Sequence, residues 1–162
     1  LLYFLIRKFK PNIVVETGVA AGWSTLAILR ALNKNQNGKL FSTDFPLFRL
    51  DDPEKHIGLL VKDEKNISDW TLDIRGDEIG LPFILSKIGD KNIDLFHYDS
   101  DKSYSGRKKA LDLIQNKLSK KGIIIFDDIQ NNFHFRDLVL KQNLKYQIFE
   151  FNGKYVGLIG IF

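Results

Sequence analysis

Cysteine and methionine are both absent from this chain, proline occurs only four times in 162 residues, and no long apolar run interrupts the sequence. Without cysteine there is no disulfide, no thiolate metal site and no cysteine nucleophile, which agrees with a reducing compartment and leads us to expect a cytoplasmic protein. No stretch approaches the roughly 20 consecutive apolar residues that cross a bilayer. The apolar start, Leu1 to Ile6, is too short for a span and lacks the layout of a signal peptide, so no membrane association is expected. Position 1 is not methionine, so the natural start is expected to lie upstream, with a targeting segment there left open. Internal repeats, low-complexity tracts and Pro/Gly/Ser linkers are also missing, and the length fits one domain over 1–162.

What is present is ordinary for a globular chain: 44% hydrophobic and 27% charged residues. The net charge is +4 and the pI near 9.2. Nucleic-acid binding shows as basic residues clustered on one face. The densest cluster is Arg107-Lys108-Lys109, with Lys117, Lys120 and Lys121 beyond it, and at helical spacing this reads as a solvated face. Nucleic acid is therefore not expected as a partner, and a homo-oligomer is left open.

Apolar runs alternate with amphipathic stretches, the pattern of a doubly wound α/β sheet. A lead-in helix is predicted over 1–9, ended by Pro11. Strands are predicted over 13–16, 39–43, 70–75, 93–98 and 123–126, and helices over 22–32, 79–88, 103–118 and 133–141. The stretch 45–69 is the least legible, with one helix expected over 53–62. Two further strands, 146–151 and 155–162, flank Asn152-Gly153. Asn-Gly is the strongest short hairpin signal, because both turn residues take positive φ, so these strands should be antiparallel neighbours.

The stretch from Ile13 to Thr25, IVVETGVAAGWST, reads as a buried strand, an acid at its tip, a glycine loop and a helix start. Such an arrangement presents backbone N–H groups and a helix N-terminus to a small ligand. A dinucleotide fingerprint needs three glycines, and here Ala20 and Trp23 stand in the second and third places, which argues against a nicotinamide cofactor. The pattern Glu-x-Gly-x-x-x-Gly resembles motif I of the class I S-adenosylmethionine-dependent methyltransferases. That resemblance implies a Rossmann-like sheet of seven strands, mostly parallel, with an antiparallel final strand and helices on both faces. The terminal hairpin points the same way independently of the loop.

Open α/β sheets bind ligands at the C-terminal strand ends, and Glu16, Asp44, Asp77, Asp99, Asp127 and Asp128 fall there. Asp44, 22 residues beyond Gly22 at the tip of strand 2, is placed to accept from both ribose hydroxyls, against the plainer reading of a turn residue before Phe45-Pro46. The resemblance implies that Glu16 anchors the methionine end of the cofactor through the loop backbone or a water, that Gly18 and Gly22 allow close approach, and that Asp77 lies near the adenine. Thr17, Ser24 and Asp99 complete the expected cofactor-binding set.

The second constellation is IDLFHYDSDKSY (93–104) with IIIFDDI (123–129). Neighbouring strands would bring Asp99, Asp127 and Asp128 together, and three adjacent carboxylates repel unless a cation or protons compensate. Oxygen ligands suit Mg²⁺, Ca²⁺ or Mn²⁺. The pair of segments resembles the cation-dependent O-methyltransferases, such as the catechol, caffeoyl-coenzyme A and macrolide-sugar enzymes, over residues 13–135. In that family Asp99, Asp127 and Asp128 would be metal ligands, and Asp101 or Lys102 would stand at the position of the base. A bacterial branch carries His-Asp-Ser-x-His-Thr-Tyr after strand 4. Here Tyr98 replaces its first His and Lys102 its second. The competing explanation is helix capping by Asp101 and by Asp127-Asp128. His56, His97 and His134 lack zinc spacing, and His97 reads as a core residue of strand 4.

These observations lead to the expectation of a methyltransferase moving a methyl group from S-adenosylmethionine to an oxygen, or a nitrogen, of a small-molecule acceptor, with S-adenosylhomocysteine as product and a divalent cation as assistant. Asp99, Asp101 and Lys102 are the candidate catalytic residues. Lys102 can accept a proton only as a neutral amine. The alternative is a degenerate module of the same fold that binds cofactor or a partner without catalysis; a nicotinamide-dependent oxidoreductase is a poorer third. The acceptor has no readable signature.

Overall fold

The structure is a computed structural model that describes residues 1–46, 49, 51–64 and 69–160. Its elements run α1 (Leu2–Phe9), β1 (Ile13–Thr17), α2 (Trp23–Asn35), β2 (Lys39–Thr43), β3 (Trp70–Asp73), α3 (Asp77–Ile88), β4 (Ile93–Tyr98), α4 (Tyr104–Ile114), β5 (Leu118–Phe126), α5 (His134–Gln142), β6 (Tyr146–Phe151) and β7 (Lys154–Ile159). One seven-stranded sheet has the order β3-β2-β1-β4-β5-β7-β6. The pairs from β3 through β5 are parallel, and β7 runs antiparallel to both β5 and β6. This is the expected class I methyltransferase arrangement, including the inserted last strand.

The central strands are apolar because both of their faces are covered. Successive side chains point to opposite faces. Val14, Leu40, Leu95, Ile123 and Ile125 therefore join Ile6, Ile28 and Leu32 of α1 and α2 on one side. Val15, Phe41, Phe96, Ile124 and Phe126 meet Leu81, Ile84, Ala110, Ile114 and Phe135 of α3, α4 and α5 on the other. The hairpin joining β6 to β7 turns at Asn152 (φ 51°) and Gly153 (φ 75°), the left-handed pair that the Asn-Gly signal predicts.

Several boundaries differ from the sequence expectation. β3 ends at Asp73 instead of residue 75, because the Asp73 carboxylate accepts from the backbone N–H of Arg75 at 3.0 Å and from its guanidinium, closing a turn. In place of one helix over 53–62 there are two short 3₁₀ turns, Pro53–His56 and Leu59–Val61. Their hydrogen bonds are tertiary: Gly58 N donates to Ala20 O at 2.8 Å and Leu60 N to Ala21 O at 3.0 Å, which draws this segment against the glycine loop. α4 stops at Ile114, and β5 begins at Leu118, five residues earlier than expected. β7 ends at Ile159; residues 161 and 162 of the expected strand lie outside the described residues, as do 47, 48, 50 and 65–68 of the less legible stretch. Among the described residues no helix is long and apolar enough to cross a membrane.

Candidate functional site

Strand order reverses between β1 and β4, and ligands of open sheets lie at that switch point beyond the carboxyl ends of the strands. A cavity of about 930 Å³ opens there, within the size range of cofactor and drug-sized pockets. Gly18, Ser24, Asp44, Asp77, Asp99 and Asp101 line it. Glu16, Thr17, Gly22, Lys102, Asp127 and Asp128 do not.

The glycine loop is held by β2. Gly18 N donates to Thr43 O at 2.9 Å, and Val19 N and Ala20 N both donate to Asp44 Oδ2, at 2.9 and 2.5 Å. Two loop N–H groups thus serve Asp44 instead of facing a ligand directly. Asp44 Oδ1 accepts from Phe45 N at 2.6 Å and retains acceptor capacity toward the cavity. Burial raises the Asp44 carboxyl above the usual carboxylate range, against the lowering pull of the Ala20, Phe45 and Val19 amides. Gly18 faces the end of β4 rather than open space: a Cβ there would lie 2.4 Å from Asp99 O. At Gly22 it would lie 2.9 Å from Val61 Cγ2 and 3.2 Å from Gly58 Cα. The loop backbone therefore packs directly on the backbone after β4 at Gly18, and on Val61 and Gly58 at Gly22.

Glu16 is fully buried beneath this loop. Its Oε2 accepts from Thr25 Oγ1 at 2.7 Å and Ser42 Oγ at 2.9 Å, while Oε1 lies 3.7 Å from Nδ1 of the buried His97. It ties β1 to α2 and β2 from below. Thr17 is buried too; its Oγ1 accepts from Asp99 N at 3.3 Å and lies 3.0 Å from Ser100 Oγ. Asp77, the first residue of α3, accepts from Thr43 Oγ1 at 2.6 Å and bonds Ser100 Oγ. Ser100 thereby links the ends of β1, β4 and α3.

The ends of β4 and β5 bring three carboxylates together. One oxygen each of Asp99, Asp127 and Asp128 lies within 4.8 Å of the others. Lys102 is inside this group: its Nζ bonds Asp99 Oδ1, and lies 3.4 Å from Asp128 Oδ2 and 4.0 Å from Asp127 Oδ2. Lys154 Nζ approaches Asp128 Oδ1 from the other side at 3.9 Å. Burial raises Asp99 above its ordinary value even against the Lys102 ammonium. At Asp128 burial works upward but loses to Gln130, Lys102 and Lys154, and the carboxyl is held low. An ammonium that donates to carboxylates has no lone pair for a proton. Asp101 accepts from Ser103 N at 2.8 Å and Ser103 Oγ at 2.9 Å, and it is Ser103 that caps α4, accepting from Gly106 N at 3.0 Å. Asp128 makes no side-chain cap.

Arg107 corrects the sequence reading. The sequence pattern puts it on a solvated basic face, yet it is only 1% exposed, whereas Lys108 and Lys109 stay outside and pair with Asp112 and Glu78. Its Nη2 donates to Asp127 O at 2.8 Å and Asp128 O at 3.0 Å, with the guanidinium 5.8 Å from the ring centres of both Tyr98 and Phe126. Asp128 has φ 50°, so Arg107 braces a left-handed turn that presents two of the three carboxylates.

A family model described as a methyltransferase domain matches residues 15–129, well over half of the chain, from within β1 to the turn after β5. The chain belongs to the methyltransferase-domain family. Among solved structures, this methyltransferase is similar to the O-methyltransferase TomG from Streptomyces achromogenes, involved in tomaymycin synthesis and solved with S-adenosylmethionine: TM-score 0.79, 12% identity, 99% of this chain and 78% of that one. It is similar to an O-methyltransferase from Bacillus cereus in complex with S-adenosylhomocysteine, with TM-score 0.78 and 12% identity over 99% and 79% of the two chains. A methyltransferase from Geobacter sulfurreducens gives TM-score 0.72 and 18% identity over 99% and 77%. At these identities the likeness is one of fold. No curated protein matches the chain by sequence.

Around the methyltransferase cavity the sequence reading missed several residues. Trp23 and Phe45, 74% and 54% exposed, present aromatic surface to it, and Tyr98 and Ser100 line it from the end of β4. Burial pushes the Tyr98 hydroxyl up to about 12, and it donates to Asp101 O at 2.8 Å, so it holds the chain and is no base. The available signal was position: Phe45 and Ser100 each follow a strand-end acid.

Proposed function

We propose that this methyltransferase domain transfers the methyl group of S-adenosylmethionine to an oxygen of a small-molecule acceptor. The observation that carries the reading is the cavity at the switch point, bounded by the Asp44-clamped glycine loop on one side and by Asp99 and Asp101 on the other. Both the size and the donor set fit the cofactor. Asp44 would accept from the ribose diol through the remaining lone pair of Oδ1, Gly18 and Ser24 would border the methionine half, and Asp77 and Phe45 would border the adenine half.

When bound, S-adenosylmethionine supplies a methyl carbon on a sulfonium, open to in-line displacement by an oxygen nucleophile. The protein's part is to align that oxygen and to remove its proton. Asp101 is the proton acceptor we favour: it lines the cavity, and its carboxylate is held in place by Ser103 without an ammonium upon it. Asp99, with one oxygen on Lys102, would orient the acceptor. Glu16 and Thr17 act from below, fixing the loop and the end of β4. Asp99, Asp127 and Asp128 are of the right chemistry for a divalent cation, but with Lys102 among them the donor set does not fit one, and no step is assigned to a metal.

Calorimetric titration with S-adenosylmethionine and S-adenosylhomocysteine tests the reading. Micromolar binding of both is expected, weakened by at least about tenfold in Asp44→Ala, since a charge-assisted hydrogen bond is worth about 1.5–3 kcal/mol. A folded protein that binds neither ligand, or an Asp44→Ala variant with undiminished affinity, refutes it.

A further inference from the structure

We propose that Lys102 is a built-in cation, standing where a divalent metal would sit between Asp99, Asp127 and Asp128, so that this domain works without a metal and gains a metal site when Lys102 is removed. Its relevance to catalysis rests on the function proposed above; the statement about the cluster itself does not.

Three carboxylates converging from two strand ends need compensating charge. A Mg²⁺ or Mn²⁺ ion would supply it from about 2.0–2.2 Å, inside the triangle of oxygens. That space holds the Lys102 ammonium, bonded to Asp99 and within 4.0 Å of the other two acids. An ammonium carries three N–H donors and no acceptor, so it serves Asp99 directly and the other two acids through its charge, with nothing to offer a metal. Metal and ammonium exclude each other by size and by charge.

The lysine is also held to this position. Tyr98 Oη donates to the carbonyl of Asp101 at 2.8 Å, and Asn132 Nδ2 to the carbonyl of Lys102 itself at 2.6 Å, so the backbone is pinned on both sides of the side chain. All four side chains are only about a sixth to a third exposed, where charges are less screened than at the open surface. With Lys154 at 3.9 Å from Asp128, the two ammonium groups bring as much positive charge as one divalent ion. Arg107 fixes the turn that carries Asp127 and Asp128 independently of what lies between them.

The test is Mn²⁺ binding, read by calorimetry and by the electron paramagnetic resonance signal of free Mn²⁺, with thermal melts alongside. The variants are Lys102→Ala, Lys102→Met and the double change Lys102→Ala with Asp127→Asn. Wild type should take up no Mn²⁺ below about 1 mM, the weak end of protein calcium and magnesium sites. Lys102→Ala should bind one Mn²⁺ at least about tenfold more tightly and melt higher in its presence, and the double change should lose both effects. Lys102→Met serves if the alanine variant fails to fold. Stoichiometric Mn²⁺ binding by wild type below about 1 mM would overturn the proposal, as would lysine variants that bind Mn²⁺ no better than wild type. Titration of S-adenosylhomocysteine into the same samples keeps the two readings apart: failure of the Mn²⁺ result with the cofactor still bound refutes the built-in cation alone, and loss of cofactor binding in wild type refutes the function alone.

Discussion

Gly18→Ala is the substitution that most directly joins fold to site. Gly18 follows β1 with φ +80°, and a Cβ built on it lies 2.4 Å from Asp99 O, 2.6 Å from Asp99 C and 2.9 Å from Ser100 N. These are backbone atoms, so no side chain can swing aside. They are also fixed: Asp99 N donates to Thr17 O, and Asp127 N donates to Tyr98 O, each at 3.0 Å. The ends of β1 and β4 must therefore separate. The left-handed backbone costs an alanine about 1–2 kcal/mol and the overpacking about 1–3 kcal/mol, roughly 2–5 kcal/mol together. For a domain of this size each kcal/mol shifts the melting temperature by about 2–4 °C, which gives a fall of about 4–20 °C. Gly153→Ala is the control, because Gly153 has φ +75° but nothing within 4 Å of its Cβ, so it carries the left-handed cost alone. The assay is a thermal melt of the three proteins with calorimetric titration of S-adenosylhomocysteine. Gly153→Ala should fall by about 2–8 °C and keep its affinity, whereas Gly18→Ala should fall further and lose affinity. Equal melting temperatures for the two variants, or intact affinity in Gly18→Ala, would refute the claim that the loop is defined by its contact with the end of β4.

Other substitutions probe the supports of the acid cluster and the core. Arg107→Leu leaves the carbonyls of Asp127 and Asp128 without their buried donor and should cost about 2–5 kcal/mol, read by urea unfolding, with partial recovery in Arg107→Lys; a loss under about 0.5 kcal/mol would show that the turn stands without the guanidinium. His134 is buried against Phe126 and Tyr104, and burial first, then the positive Arg107, holds its pKa below the ordinary value. The unfolded chain therefore takes up the proton first: stability is full above about pH 6.5 and declines as pH falls toward the folded pKa, by no more than about 1.4 kcal/mol per unit. His134→Phe should flatten that part of the urea-midpoint profile between about pH 6.5 and 5; an unchanged slope would assign it to another group.

What was legible in the sequence was whatever depends on local pattern. Strands buried on both faces read as apolar runs, so β2 and β4 are found with their expected ends, whereas the exposed edge strand β6 is bounded by Asn152-Gly153, which announces the antiparallel hairpin. Where a boundary is set by a distant partner the reading slipped. The expected helix over 53–62 breaks into two turns because Gly58 and Leu60 donate to Ala20 and Ala21 of the glycine loop, more than 30 residues away, instead of to their own preceding turn. Arg107 reads like its lysine neighbours because a helix face cannot be told from charge alone; the carbonyls of a turn 20 residues on and the rings of Tyr98 and Phe126 receive it.

The acid cluster shows the same division at the level of chemistry. Adjacent parallel strands ending in Asp99 and in Asp127-Asp128 must bring carboxylates close, and that convergence follows from strand order alone. Which cation answers them does not. Lys102 sits three residues after Asp99, a spacing that fits a base facing the cavity as well as an ammonium folded back on the strand ends. Two carbonyl contacts, from Tyr98 and Asn132, fix the backbone around it, and neither is a feature of the local sequence. A residue that the motif offers as a proton acceptor is thus drawn, through contacts made elsewhere in the fold, into the midst of three carboxylates, which is why the function we propose gives the proton to Asp101 instead.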